Sequence, residues 1–431
     1  MLVAIQDIDE DTLLFRIPRS CILSVENSIL SKEIPKATLE NLGPWLSLIL
    51  VMLYEYHNGQ ASNWYPYFGV LPTEFNTLMF WEEDELNELQ ASAVRNKIGK
   101  ESADEMFKSE LVPVIREFAE VFFSGDKNAK ESAERIGGPE GLQLMHLMGT
   151  WIMAYAFDIE PIEANKAVDE EGYASEDEDE ALPKGMVPMA DMLNADADRN
   201  NARLFYEEDA LCMKSIKPIR AGDEIFNDYG PLPRSDLLRR YGYITDNYTQ
   251  YDVVELPFEL VLEHVKQFTN QPLDQRLEYL DEQGVVETGY DVSATDPFDL
   301  VESISPELIV LTQALLLPDA EFDRLQRKGK LPKPENITST DISCLLQVIK
   351  ARAQQYATSL EEDFRQLVPP SGDLVSKERR YAMAKQVRIG EKNILRIAEA
   401  ALESLSGQSN GVAKRLGEEG NGAASKRQRR A

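Results

Sequence analysis

Between Met186 and Tyr243 the sequence gathers side chains suited to holding a polar ligand and acting on it. An amide comes first, Asn194, in the run Ala190-Asp191-Met192-Leu193-Asn194-Ala195-Asp196. A phenol follows, Tyr229, near the end of Ala221-Gly222-Asp223-Glu224-Ile225-Phe226-Asn227-Asp228-Tyr229-Gly230, and another, Tyr241, stands in Arg240-Tyr241-Gly242-Tyr243. An amide can donate and accept hydrogen bonds, and a phenol hydroxyl can align a reacting group and stabilise charge beside it. Tyr229 taken alone is an ordinary tyrosine at a strand end; the order and spacing of these runs give it weight.

The elements that would position these groups are legible locally. Ala202 to Tyr206 and Leu211 to Ser215 flank an acidic turn, Glu207 to Ala210, and read as a β-hairpin. Pro218 ends that strand, Gly222-Asp223 supplies a second turn, and Glu224-Ile225-Phe226 forms a third short strand. Tyr229 therefore lies just past a strand end, where a side chain can face a cleft. Asp236 to Arg240 reads as a short helix that begins near Ser235 and is stopped by Gly242. At the N-terminus, Val3 to Ile8 and Thr12 to Ile17 alternate like strands paired across Asp9-Glu10-Asp11, with Pro18 closing the second.

Composition sets the outer bounds. A chain of 431 residues is long enough for two or three domains with buried cores. No apolar run approaches the roughly 20 residues needed to span a bilayer, and Trp45 to Tyr54 reads as a core helix. The N-terminus has no basic region followed by an apolar core and cleavage site, so secretion is not expected. Cys21, Cys212 and Cys344 form neither a disulfide framework nor a zinc cluster, which suits a reducing compartment and leaves no metal site to assign. Acidic residues outnumber basic ones 75 to 45, a net charge of −30 that argues against direct binding to nucleic acid. Such a surface favours encounter with basic proteins such as ribosomal proteins and histone tails, or merely keeps the chain soluble.

Residues about 37 to 150 read as mainly helical, interrupted by the aromatic stretches Trp64-Tyr65-Pro66-Tyr67 and Leu78-Met79-Phe80-Trp81. An acidic helix start, Glu82 to Glu85, follows Trp81. The run from Gly149 to Asp158 continues an apolar helix. The acidic segment 169 to 180 predicts a mobile surface loop, with binding of a basic partner as the alternative use. Beyond Tyr248 the pattern is helical: Ser305 caps a helix with Pro306 at its first position, and 329 to 334 is a linker-like break. Two long helices follow, one carrying Leu345, Val348, Ile349, Tyr356 and Leu360, the other running from Tyr381 to Leu402. From Ser406 the composition predicts a flexible tail. Its clusters Lys414-Arg415 and Lys426 to Arg430 fit a bipartite nuclear import signal read by an import receptor, with a solvated end or a nucleic-acid tether as alternatives.

The two motifs and their order resemble the carboxy half of a SET domain, and the chain as a whole resembles the Rubisco large-subunit methyltransferase type of that family. Ala-Asp-Met-Leu-Asn-Ala-Asp, where most members read Asn-His, together with Leu237-Leu238-Arg239-Arg240-Tyr241-Gly242-Tyr243, is similar to the fungal ribosomal lysine methyltransferase 4 subgroup. The resemblance implies an α+β fold, a SET-domain β-fold split by a helical insert and followed by an all-α substrate-binding domain. The segments are 1–36 and 151–247 for the SET parts, 37–150 for the insert, 248–405 for the substrate-binding domain and 406–431 for the tail. It implies S-adenosylmethionine as cofactor and a basic protein, foremost a 60S ribosomal protein, as substrate; the net charge and the lack of an apolar span argue against nucleic acid and membrane as partners, and the basic clusters of the tail point to the nucleus. Tyr229 is the implied catalytic residue and a cofactor contact beside Tyr155, Asn194, Ala195 and Tyr241, while Trp81, Ala156 and Asp158 are the implied substrate contacts. In this family a Gly-x-Gly loop precedes the first strand; here Met1-Leu2-Val3-Ala4 falls where that loop ends, so part of it is expected to be missing. A histone or transcription-factor target, and an inactive acidic chaperone of basic nuclear proteins, are the alternative readings.

Overall fold

The computed structural model describes residues 2–159, 182–367 and 376–427. The acidic segment 169–180 lies outside the described residues. The chain forms two compact units: Met1–Phe80 with Ile98–Leu232 and Asp236–Tyr243, and Trp81–Lys97 with Pro233–Ser235 and Ile244–Ala431. The acidic helix start after Trp81 thus belongs to the second unit, not to the rest of the insert.

Small sheets build the chemical face of the first unit. Its strands are β1 (Leu13–Pro18), β2 (Leu23–Ser24), β3 (Ala156–Asp158), β4 (Lys184–Met186), β5 (Asn194–Ala195), β6 (Ala202–Tyr206), β7 (Ala210–Ser215) and β8 (Phe226–Asn227). They pair as β1-β7-β6, β2-β4-β3 and β5-β8. The hairpin β6–β7 forms as its alternation predicts, with Glu207 N donating to the Ala210 carbonyl at 2.9 Å. Ala202 and Leu204 point inward and Arg203 and Phe205 outward, as a pleated strand requires.

The N-terminal pair differs from expectation. Val3 to Ile8 does not pair with β1. It runs antiparallel to 219–225, with Ala4 N on the Asp223 carbonyl (2.9 Å), Gly222 N on the Ala4 carbonyl (2.8 Å) and Ile8 N on the Ile219 carbonyl (2.8 Å), while β1 pairs with β7. Thr12 N donates to Ser215 Oγ and Asp11 N to the Ser215 carbonyl, so the corner between the two segments is tied to the end of β7. Alternation tells which face a strand buries, not which strand it will meet.

Behind the sheets lies a helical core. The helix Gly43–His57 buries Leu46 and every residue from Leu48 to Tyr54. Against it packs Pro139–Tyr155, where Gly149 allows close approach: a Cβ there would lie 3.7 Å from Trp45 and 3.8 Å from Ile49. This helix stops at Tyr155 and the chain continues as β3, so the apolar run to Asp158 is part helix and part strand.

The second unit is mainly helical, with one two-stranded ladder of β9 (Val254–Pro257) and β10 (Gly289–Val292) that periodicity did not reveal. Ser305 caps Pro306–Leu316 as expected, its Oγ accepting from Leu308 N at 3.2 Å. The helix expected to carry both Tyr356 and Leu360 ends at Gln354, because Ser359 caps a new helix, Leu360–Gln366. Two carboxylates buried here are hydrogen-bonded. Asp363 accepts from Arg388 Nη2 (2.7 Å) and Lys392 Nζ (2.5 Å), and Glu391 accepts from Ser92 Oγ (2.6 Å) and Tyr356 Oη (2.7 Å). Burial nonetheless pushes the Glu391 carboxyl up to about 7. The last helix spans Lys377–Arg427, so the segment expected to be a flexible tail continues as helix to Arg427. Extending an existing helix carries no new nucleation cost, which composition alone does not register.

Candidate active site

The site begins with the parallel ladder of β5 and β8, which sets Asn194 opposite Phe226 and Ala195 opposite Asn227. Asp196 N extends it to the Asn227 carbonyl at 3.1 Å. Asn201 locks the register. Its backbone N donates to the Phe226 carbonyl (3.1 Å), its Oδ1 accepts from Phe226 N (2.9 Å), and its Nδ2 donates to the Glu224 carbonyl (2.9 Å). The Asn-containing and Tyr-containing motifs are thereby brought side by side.

Tyr229 leaves β8 and donates its hydroxyl to the Leu193 carbonyl at 3.1 Å, one residue before Asn194. Its ring stacks on Tyr241, with centroids 4.5 Å apart and planes 15° from parallel, and Tyr243 lies 6.3 Å from Tyr241. The helix Arg234–Tyr241 delivers Tyr241, and the turn after it Tyr243. Gly242 ends it at φ +74°, its N donating to the Leu237 and Leu238 carbonyls, and a Cβ there would stand 2.8 Å from Thr77 N. The turn thus requires glycine for both its backbone conformation and its contact.

Asn194 is exposed; its Nδ2 donates to Glu224 Oε1 at 2.7 Å and, among the described residues, its Oδ1 accepts no hydrogen bond. Ala195 is buried. Asp196, also buried, is pushed up by desolvation but held below the usual carboxylate range overall by Arg199, whose Nε donates to it at 2.7 Å.

A second carboxylate, which the sequence reading did not single out, completes the site. Tyr67 donates its hydroxyl to Asp191 Oδ2 at 2.6 Å across 124 positions of sequence. Burial pushes the Asp191 carboxyl up, against the pull of that hydrogen bond. The phenols around it are held neutral. Burial, then the Asp191 charge, raises Tyr67 and Tyr155 above the ordinary phenol value. Tyr229 is raised by burial and then by Tyr241, Tyr243, Tyr155 and Asp191, and burial pushes Tyr241 up to about 12. Asp191 was findable as an acid in an otherwise apolar run, whereas nothing local could have named Tyr67 as its partner.

The expected substrate contacts are less uniform. Ala156 is half-buried and pairs with Met186 in the β3–β4 ladder. Asp158 serves that ladder: its carboxylate takes Lys184 Nζ at 2.6 Å and its carbonyl the Tyr206 hydroxyl at 2.6 Å, so its side chain is already engaged as a tie between strands. Trp81 is buried at 5% exposure and opens the second unit, just before a helix whose capping box joins Glu82 and Glu85. Among the described residues no cluster of His, Cys, Asp and Glu could hold a metal ion.

Chemically, a half-buried carboxylate among neutral phenols attracts a cationic group and places it where water is scarce. The stacked pair Tyr229 and Tyr241 offers an aromatic face, and Asn194 an unused acceptor, to a second molecule bearing ring and polar groups.

Comparison with known proteins identifies the family. Residues 1–230 match the SET domain, and residues 268–395 match the Rubisco LSMT substrate-binding domain. The chain is similar to ribosomal lysine N-methyltransferase 4 of Saccharomyces cerevisiae, 30% identical over 93% of this chain and 85% of that protein. It is also similar to N-lysine methyltransferase SETD6 of Homo sapiens, 30% identical over 91% of this chain and 82% of that one. Of solved structures, Rubisco LSMT bound to AdoMet shares the fold with a TM-score of 0.63 at 21% identity, over 94% of this chain and 85% of that one.

Gly242→Ala tests the packing that seats Tyr241 and Tyr243. It is expected to lower stability by about 1–3 kcal/mol in urea denaturation. Gly222→Ala, at φ +93° with nothing within 4 Å of its Cβ, should carry the backbone cost alone. Equal losses for the two would contradict a tight contact at Gly242.

Proposed function

The chain belongs to the SET-domain family of N-lysine methyltransferases, and we propose that it methylates a lysine of a basic protein, foremost one of the large ribosomal subunit, with S-adenosylmethionine as donor. The observation that carries this reading is the Asp191 carboxylate, held by Tyr67 in a group of half-buried phenols that includes Tyr229.

The residues present fit the donor. Asn194 offers its unused side-chain oxygen, Ala195 its backbone, Tyr155 its ring at the helix end, and Tyr241 an aromatic face for the adenine side. When bound, S-adenosylmethionine supplies a methyl carbon that the amine lone pair attacks as the carbon–sulfur bond breaks.

The rest is work for this chain's own groups. A lysine with pKa ~10.4 costs about 4.6 kcal/mol to deprotonate at pH 7, so the site has to favour the neutral amine. Asp191 attracts the incoming ammonium, and the apolar, phenol-lined surroundings favour its loss of a proton to solvent by desolvation. Tyr229 is committed as a donor to the Leu193 carbonyl, which turns its oxygen lone pairs toward an amine N–H. Held neutral by burial, it aligns the amine rather than acting as a base. The net charge of −30 speeds encounter with a basic protein, and the name of the yeast relative supports a ribosomal one.

The basic clusters Lys414-Arg415 and Lys426 to Arg430 support import into the nucleus, where an import receptor would read them. A fluorescently tagged chain should accumulate there, and one lacking 406–431 should not; equal distribution of both would overturn this placement.

The enzyme reading is tested by transfer of labelled methyl to purified ribosomal proteins. Label is expected on a large-subunit protein, and Tyr229→Phe should lower kcat about 100-fold while leaving the fold intact. Label on histones alone would redirect the substrate assignment. Absence of both label and calorimetric cofactor binding would sink the proposal.

A further inference from the structure

The turn that carries Asp191 has a feature that the transfer chemistry does not require. From Val187 to Leu193 the backbone turns tightly: Ala190 N and Asp191 N both donate to the Val187 carbonyl (3.2 and 3.3 Å), Met192 N to the Met189 carbonyl (3.3 Å) and Leu193 N to the Ala190 carbonyl (3.2 Å). The short helix Ala190–Met192 follows Met189, and burial sorts the side chains of the turn into three sets. Val187, Ala190 and Leu193 are buried in the core of the small sheets. Pro188 and Asp191 are half-buried, Asp191 on the Tyr67 hydroxyl. Met189 and Met192 make up the remaining face, 50% and 49% exposed.

Two costs coincide on that face. Large apolar side chains left in water forgo their burial energy. Met189 also sits at φ +79°, a strained conformation unusual for any residue but glycine. Neither stabilises the fold, and both fall within two positions of the residue that receives the substrate cation. Strain of this kind clusters at functional sites, and methionine's flexible thioether adapts to varied apolar partners.

We infer that Met189 and Met192 form an apolar seat for a substrate side chain close in sequence to the acceptor lysine, so that the enzyme selects a lysine with an aliphatic or aromatic neighbour. The inference rests on the lysine-transfer reading, because it is Asp191 that fixes where the lysine enters. It also gives the acidic protein a way to choose among lysines, which long-range attraction cannot do, since every basic segment shares it. Selection by apolar contact acts on binding, so it should read out in KM rather than kcat.

The experiment uses the full chain and short peptides with a single lysine in a Gly/Ser background, each carrying one leucine moved stepwise along both sides of the lysine. Initial rates and fluorescence-anisotropy binding are both measured. Wild type should prefer one or two leucine positions over the unsubstituted peptide by about tenfold in kcat/KM, carried by KM. Met189→Gln/Met192→Gln should erase the preference with kcat on the unsubstituted peptide unchanged, and Met189→Leu/Met192→Leu should retain it. A melting temperature matching wild type excludes misfolding of the Gln variant, and the Leu variant decides the matter if the Gln variant fails to fold. A wild type indifferent to leucine position, or a folded Gln variant that keeps the preference, would overturn the inference. Absence of transfer to every peptide would instead count against the methyltransferase reading, while the binding data would still decide the methionine seat.

Discussion

A two-residue parallel ladder, Asn194 against Phe226 and Ala195 against Asn227, is the constraint on which the site depends. It has few hydrogen bonds of its own, and Asn201 supplies the rest by using both faces of its amide on the chain around Phe226. The consequence is specific. The chain before Asn194 presents a carbonyl, that of Leu193, to the hydroxyl of Tyr229, which is delivered from beyond β8. A slip of one residue in this register would turn Tyr229 to the opposite face and detach it from Tyr241.

Around that crossing the electrostatics follow from burial. Phenols packed together with a carboxylate resist ionisation, since each further negative charge would be placed in poorly solvated surroundings. The same surroundings that keep the hydroxyls protonated penalise an ammonium and favour a neutral amine. In the proposed chemistry Asp191 offsets the second effect for an arriving cation. Attraction on arrival and neutrality at reaction are thus supplied by different groups, the carboxylate and the apolar ring faces.

Much of this was readable from local sequence. The β6–β7 hairpin, the glycine stop after Tyr241, the Ser305 cap and the position of Tyr229 past a strand end each depend on a few adjacent residues, and each is where those residues place it. The readings that missed depend on partners far away in sequence. Val3 to Ile8 has the alternation of a strand, yet its partner is 219–225 rather than its neighbour β1. Tyr67 carries no local mark of its bond to Asp191, and the helix expected to run from Leu345 through Leu360 ends at Gln354, with Ser359 capping a new one.

The proposed chemistry requires that the reacting amine be made neutral by its surroundings while the site's hydroxyls stay protonated. The most direct test is the pH dependence of kcat/KM for methyl transfer to a lysine peptide. With burial holding Tyr229 above the ordinary phenol value and Tyr241 up to about 12, kcat/KM should rise about tenfold per unit from pH 7 to about pH 9 as the lysine loses its proton, with no descending limb in that range. A bell-shaped profile falling between pH 7 and about pH 9 would show a site group losing a required proton there, and would contradict the account.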